Sequence, residues 1–99
     1  MTNITLKKKN SIYSVEACGH ASGSVETCAS ISTLVYTLLG YLDNFEDGAQ
    51  LRDSKIADGY AFIEFEGGEV AEALYNLICV GFLQIRKAKE GLLTIDIIE

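Results

Sequence analysis

The chain of 99 residues has no proline, no tryptophan, one histidine and three cysteines. It has no stretch rich in proline, glycine and serine, no low-complexity run and no repeat. Nothing therefore marks an internal boundary, and the chain reads as one domain over residues 1–99. An odd number of cysteines excludes a disulfide framework that uses every thiol. Cys18, His20 and Cys28 would supply three metal ligands, but a structural zinc site wants four and no fourth stands at suitable spacing, so no metal is expected. Cations are scarce: 8 Lys and Arg stand against 14 Asp and Glu, a net charge of -6. Such a surface repels phosphate backbones, which argues against nucleic acid and favours a basic protein segment as partner. No glycine-rich loop carries the lysine a phosphate site needs; Gly67-Gly68 lacks one, so no cofactor is expected. The start lacks a basic region followed by an apolar stretch, so it does not read as a signal peptide. The longest apolar runs, around 34–42 and 74–85, are too short and too mixed to span a bilayer. A soluble cytoplasmic protein with no membrane association is the expectation.

What is present is a clear alternation of periods. Residues 3–9 and 11–18 alternate as two strands, with Asn10 in the turn between them tolerating positive φ. Residues 19–24, GHASGS, form a loop. A helix follows, N-capped by Ser24, with Glu26 in its first turn at the positive end of the dipole. Its stripe is Cys28, Ile31, Val35, Leu38, Leu39 and Leu42, widened by Leu34 and Tyr41. A polar exposed strand over 49–57 leads through Asp58-Gly59, a strong two-residue hairpin signal, into an alternating strand over 60–66. Gly67-Gly68 breaks it. A second helix over about 69–87 has the stripe Val70, Leu74, Leu77, Ile78, Gly81 and Ile85. A final strand over 92–98 is so apolar that it reads as interior. The order is ββαββαβ: an α+β domain, a small mixed or antiparallel sheet packed with two helices. Tyr60 and Phe62 fall on the sheet face away from the helices. Exposed apolar surface there would be buried by a homodimer.

One place collects catalytic residue types, the segment from Gly19 and His20 to Cys28. His20 is the sole histidine. Cys28 lies in the first turns of a helix, where backbone N–H groups and the dipole favour a thiolate and could hold an oxyanion. An imidazole nearby would take the thiol proton and return it to a leaving amine. The loop reaches up to roughly 25 Å at ~3.3 Å per residue, so proximity is allowed rather than compelled. Bland readings stand beside this one. A small cysteine on a helix stripe is more often core, a lone histidine at a strand end is more often surface, and Gly19 suits a turn. Cys18 and Cys79 both read as core. Ser30 and Ser32 read as plain helix surface or as hydroxyl donors. The scattered acids Asp43, Glu46, Asp47, Asp53 and Asp58 look like solvated caps.

The segment Gly19-His20-Ala21, then a glycine-containing loop, then Cys28-Ala29-Ser30-Ile31-Ser32 opening an apolar helix, resembles the ribosomal-processing cysteine protease Prp family. The length and element order fit as well, so the resemblance covers nearly the whole chain. It implies a small α/β sandwich, typically dimeric. It implies a cysteine endopeptidase that trims the N-terminal extension of ribosomal protein L27 in some bacteria, with phage-encoded relatives acting on virion proteins. By carry-over Cys28 is the nucleophile and His20 the base, with Gly19 and Ser32 supporting. Two departures stand out. The loop between His20 and Cys28 is several residues shorter than is usual, and the family's acid before the cysteine is replaced by Val25. Glu26, one residue on, is the candidate to replace that orienting acid as a supporting residue, beside its role at the helix start. These departures fit a divergent branch such as one encoded by phage or prophage. They also keep open a non-catalytic domain that binds a peptide along the edge strand around 51–56. A redox-sensing thiol is the weakest alternative, because only Cys18 lies near in sequence.

Overall fold

The computed structural model describes residues 1–19, 25–45 and 47–99. Its elements run β1 (Thr2–Lys9), β2 (Ile12–Cys18), α1 (Val25–Asn44), β3 (Ala49–Ala57), β4 (Tyr60–Gly67), α2 (Glu69–Ala88) and β5 (Leu93–Ile98). The predicted ββαββαβ order and α+β class are those of the structure. One five-stranded sheet has the order β3-β4-β2-β1-β5. Only the β1–β5 pair is parallel, so the sheet is mixed.

The turns follow from local chemistry. Asn10 takes φ 58° between β1 and β2, and Gly59 takes φ 71° between β3 and β4, backbone states that asparagine and glycine reach most easily. The two helices cross the sheet between hairpins. α1 carries the chain from β2 to the edge strand β3, and α2 carries it from β4 to β5 beside β1.

Alternation in the strands builds one core. Ile4 and Leu6, Tyr13, Val15 and Ala17, and Ile63 and Phe65 turn one sheet face toward the helices. Ile31, Val35, Leu38 and Leu42 of α1 close over it, as expected of the stripe read from sequence. By length and composition α1 could cross a membrane, with 20 residues and a mean hydropathy of 1.2. Its buried stripe, Ile31, Val35, Leu38 and Leu42, lies on the sheet.

Three expectations need correction. β5 is an edge strand rather than an interior one: it pairs only with β1, and Ile97 and Ile98 remain about half exposed. Strong β-propensity reports side chains suited to a pleated surface, not the strand's rank in the sheet. The buried face of α2 is Ala71, Tyr75, Ile78, Cys79 and Phe82, turned away from the predicted stripe, so that Val70 and Leu77 are exposed. The two large aromatics at i and i+7 set that rotation. Phe82 is fully buried, and Tyr75 packs its ring 5.1 Å from Tyr13. Gly81 is the point where Leu34 of α1 meets α2: a Cβ there would lie 2.8 Å from Leu34 Cδ1, so that side chain would have to shift. Finally, Cys18 is exposed rather than core. It sits across from Asn3 and Tyr60 on the sheet face that no helix covers. Tyr60 and Phe62 share that face but are only half-exposed, beside Cys18 and Glu16 in the pairing register.

Candidate active site

Gly19 ends the β2 path in a conformation that its sequence position demands. Its φ is 97°, and a Cβ on it would lie 2.6 Å from the carbonyl oxygen of Met1. The Gly19 N–H donates to the Gly59 carbonyl at 2.7 Å, and the Gly19 carbonyl accepts from Thr2 Oγ1 at 3.4 Å. The strand end before the loop is thereby tied to the β3–β4 turn on one side and to β1 on the other.

Cys28 is the fourth residue of α1, at the end of its first turn and near the positive end of the helix dipole. It is half-buried rather than core. It lines a cavity of about 470 Å³ between α1 and the β3–β4 hairpin, with Gly19, Ser32, Tyr36, Ile56 and Asp58 among the other lining residues. Three residues of one flank of α1 meet there: Cys28, Ser32 and Tyr36, spaced four apart and so stacked along one helix face. Neighbouring hydroxyls are occupied by their own helix: Ser30 Oγ donates to the Glu26 carbonyl at 2.9 Å and Thr33 Oγ1 to the Ala29 carbonyl at 2.8 Å. The Ser32 hydroxyl has no hydrogen-bond partner among the described residues, so it is available to whatever fills the cavity.

Of the sequence candidates, the structure brings Cys28, Gly19 and Ser32 to one cavity. His20, the candidate base, lies outside the described residues, as do the cap Ser24 and Glu46. Glu26 is not among the residues lining the cavity; its carboxylate meets Lys89 Nζ at 3.3 Å, joining the start of α1 to the end of α2. Among the described residues no group of three or more His, Cys, Asp or Glu could hold a metal ion.

Asp58, Ile56 and Tyr36 are among the lining residues that sequence reasoning missed as members of the catalytic site. Asp58 was read as a turn former and a solvated cap. Ile56 was named only as part of the edge strand of the non-catalytic peptide-binding reading, without its neighbour across the cleft. Tyr36, 58% exposed beside the cavity, could have been found by counting in fours from Cys28. Nearby, the Tyr60 hydroxyl donates to Glu16 Oε2 at 2.8 Å. That bond, ahead of burial, raises the phenol above its ordinary pKa.

The other two thiols contrast with Cys28. Cys18 is exposed on the uncovered sheet face. Cys79 is buried under α2, and burial raises its thiol above the ordinary range, against a smaller opposing effect of the Tyr75 hydroxyl.

A half-exposed thiol on a helix N-terminus, at the wall of a cleft in a two-layer α+β domain, has the form of a cysteine hydrolase site. The chain matches the model of the cysteine protease Prp family over residues 1–93 and belongs to that family. It is a cysteine protease by that membership. No curated protein matches it. Among solved structures it is similar to SMU.848 from Streptococcus mutans, at 24% identity and a TM-score of 0.74, covering 99% of this chain and 97% of that one. It is similar also to the essential ribosomal processing protease Prp from S. aureus in complex with a covalently linked product peptide, at 14% identity and a TM-score of 0.78, covering 98% and 99%. The same S. aureus protein in complex with a substrate peptide gives 14% identity and a TM-score of 0.77, again covering 98% and 99%. At these identities the likeness establishes the fold alone.

Proposed function

We propose that this chain is an endopeptidase that processes one specific protein substrate, with Cys28 as nucleophile and His20 as base. The placement of Cys28 in the first turn of α1, at the wall of the 470 Å³ cavity, is the observation that carries this reading. The imidazole takes the Cys28 proton and the thiolate adds to the scissile carbonyl. Backbone N–H groups at the start of α1 stabilise the resulting oxyanion. The imidazolium then protonates the leaving amine as the C–N bond breaks, giving a thioester. Water, deprotonated by the same imidazole, hydrolyses the thioester and restores the thiol.

The substrate we propose is the N-terminal extension of ribosomal protein L27 or, for a phage-encoded branch, a virion protein. The S. aureus protein of the same fold is a ribosomal processing protease. A basic segment suits a cleft whose lining, among the described residues, holds Asp58 and no Lys or Arg. Incubation with an L27 precursor and with virion precursor proteins, followed by intact mass, tests this. Cleavage at one site, lost in Cys28→Ala, is expected; equal cleavage by Cys28→Ala would end the mechanism.

We propose further that the protein acts in the cytoplasm as a homodimer, and that its helices rather than its sheet form the contact. The uncovered sheet face carries Glu16, Glu64 and Glu66 beside its two aromatics. Between Glu26 and Asp43, α1 has no charged residue, and between Glu72 and Arg86, α2 has none. Leu77 and Val80 are exposed on α2, at 66% and 52%. A two-fold contact brings identical patches together, so for two copies of net charge -6 a charge-free face is where like charges are not opposed.

A competing reading, a domain that keeps the fold and binds peptides without cleaving them, is favoured by one observation. Val25, at the place of the family's acid, is 87% exposed and offers no carboxylate. Peptide binding without turnover, indifferent to alkylation of Cys28, is its signature.

A further inference from the structure

The hydrogen-bond parity of the β3–β4 hairpin is fixed by bonds on its other side. In an antiparallel ladder, alternate residues of a strand bond to one neighbour and those between them to the other. The Gly19 N–H donates to the Gly59 carbonyl at 2.7 Å, and the Gly67 N–H donates to the Ser11 carbonyl at 3.1 Å. The odd-numbered residues of β4 therefore serve β2, and Tyr60, Phe62 and Glu64 serve β3. Their partners on β3 are Ala57, Lys55 and Asp53. A two-residue turn at Asp58-Gly59 requires the same parity, because its flanking residues close the hairpin.

Ser54 and Ile56 are left over. Their backbone N–H and C=O groups point away from β4, off the edge of the sheet, where no strand follows among the described residues. Their side chains lie on the helix side, because their partners across the ladder are the buried Ile63 and the half-buried Ala61. Ile56 lines the same cavity as Cys28. The edge is bounded at both ends. The register shifts between Leu51 and Asp53, so the bulge at Arg52 interrupts the flat template, and the turn ends it at Asp58. What remains is residues 53–57, an exposed stretch of unpaired edge that leads into the cleft.

We propose that the substrate docks as a sixth strand along β3, its backbone bonding to the N–H and C=O of Ser54 and Ile56. The residue opposite Ile56 turns its side chain to the helix side, into the cavity bounded by Tyr36 and Cys28. Main-chain bonding holds the segment in extended form, and the cavity selects one side chain. This rests on the protease reading, and it assigns binding to β3 rather than to the loop before α1.

The test uses two reagents with one warhead. Chloroacetone alkylates Cys28 without a peptide; acetyl-Ala-Phe-Ala chloromethyl ketone carries a short strand to the same thiol. Ile56→Pro removes an N–H that the hairpin does not use, at an edge position that tolerates it, and also replaces a side chain that lines the cavity. In wild type the peptide reagent is expected to react at least ten-fold faster than chloroacetone. In Ile56→Pro the peptide rate is expected to fall about ten-fold relative to the chloroacetone rate of the same variant. Peptide reagents N-methylated in turn at each backbone nitrogen, used on wild-type protein, give the same information without altering the fold: one or more should lose the advantage. An advantage equal in wild type and Ile56→Pro and insensitive to N-methylation would overturn the proposal, as would no advantage in wild type. Cys28 inert to both reagents would instead strike the protease reading itself.

Discussion

The N–H of Gly19 donates to the carbonyl of Gly59 across 2.7 Å, joining the residue before the candidate base to the turn that forms one wall of the Cys28 cleft. Both glycines have positive φ, 97° and 71°. The bond makes the position of the β3–β4 hairpin depend on the backbone of Gly19.

Gly19→Ala is expected to cost stability, because the backbone there is left-handed and the new methyl group would meet the Met1 carbonyl oxygen at 2.6 Å. Strain of this kind costs about 1–3 kcal/mol. A lower urea midpoint with an unchanged slope, together with slower modification of Cys28, is the expected outcome.

Stability should decline on the alkaline side. Burial raises both the Cys79 thiol, from an ordinary value of 9.0, and the Tyr75 phenol, from 10.0. The unfolded chain then loses these protons at lower pH than the native chain does. The stabilisation is complete below the unfolded values and is lost as pH rises through them toward the folded ones. Melting temperatures measured from pH 7 to 11 should fall above about pH 9. Cys79→Ala should flatten the first part of that fall, and a parallel curve would contradict the assignment.

Glu26→Gln should be mild. Its carboxylate pairs with Lys89 at the surface, with 83% of its side chain exposed, and exposed pairs contribute about 0–1 kcal/mol. Because Glu26 is not among the cavity residues, substrate cleavage should stay within a few-fold of wild type. A loss of a hundred-fold would show that this acid orients the base after all.

Phe82→Ala tests the corrected face of α2. The ring is fully buried, and its removal is expected to cost about 3–5 kcal/mol. Leu77→Ala, at the position the sequence pattern had turned inward, should change monomer stability by less than about 0.5 kcal/mol. Equal losses would restore the predicted stripe.

Much of the fold was legible because its signals were local. Asn10 and Asp58-Gly59 named their turns, and alternation in 12–18 and 60–66 named the core face of the sheet. The rank of β5 was not legible, since Ile95, Ile97 and Ile98 look the same in an edge strand as in a central one. Nor was the rotation of α2, where Leu77 and Tyr75 compete for the core and the packing of Tyr75 and Phe82 decides. At the site, Cys28, Gly19 and Ser32 were visible as a motif within one stretch of chain. Tyr36, Ile56 and Asp58 were not, because they reach the cavity only once the hairpin folds back against α1.

The central claim is that Cys28 is the acyl-accepting nucleophile, and its most direct test is a map of acylation sites. The protein is mixed with acetyl-Ala-Phe-Ala p-nitrophenyl ester, quenched in acid within the first turnover, digested and analysed by mass. The account predicts the acyl group on Cys28, with almost none on Cys79 or on the more exposed Cys18. Acylation that follows exposure, with Cys18 leading and Cys28 behind, would contradict it.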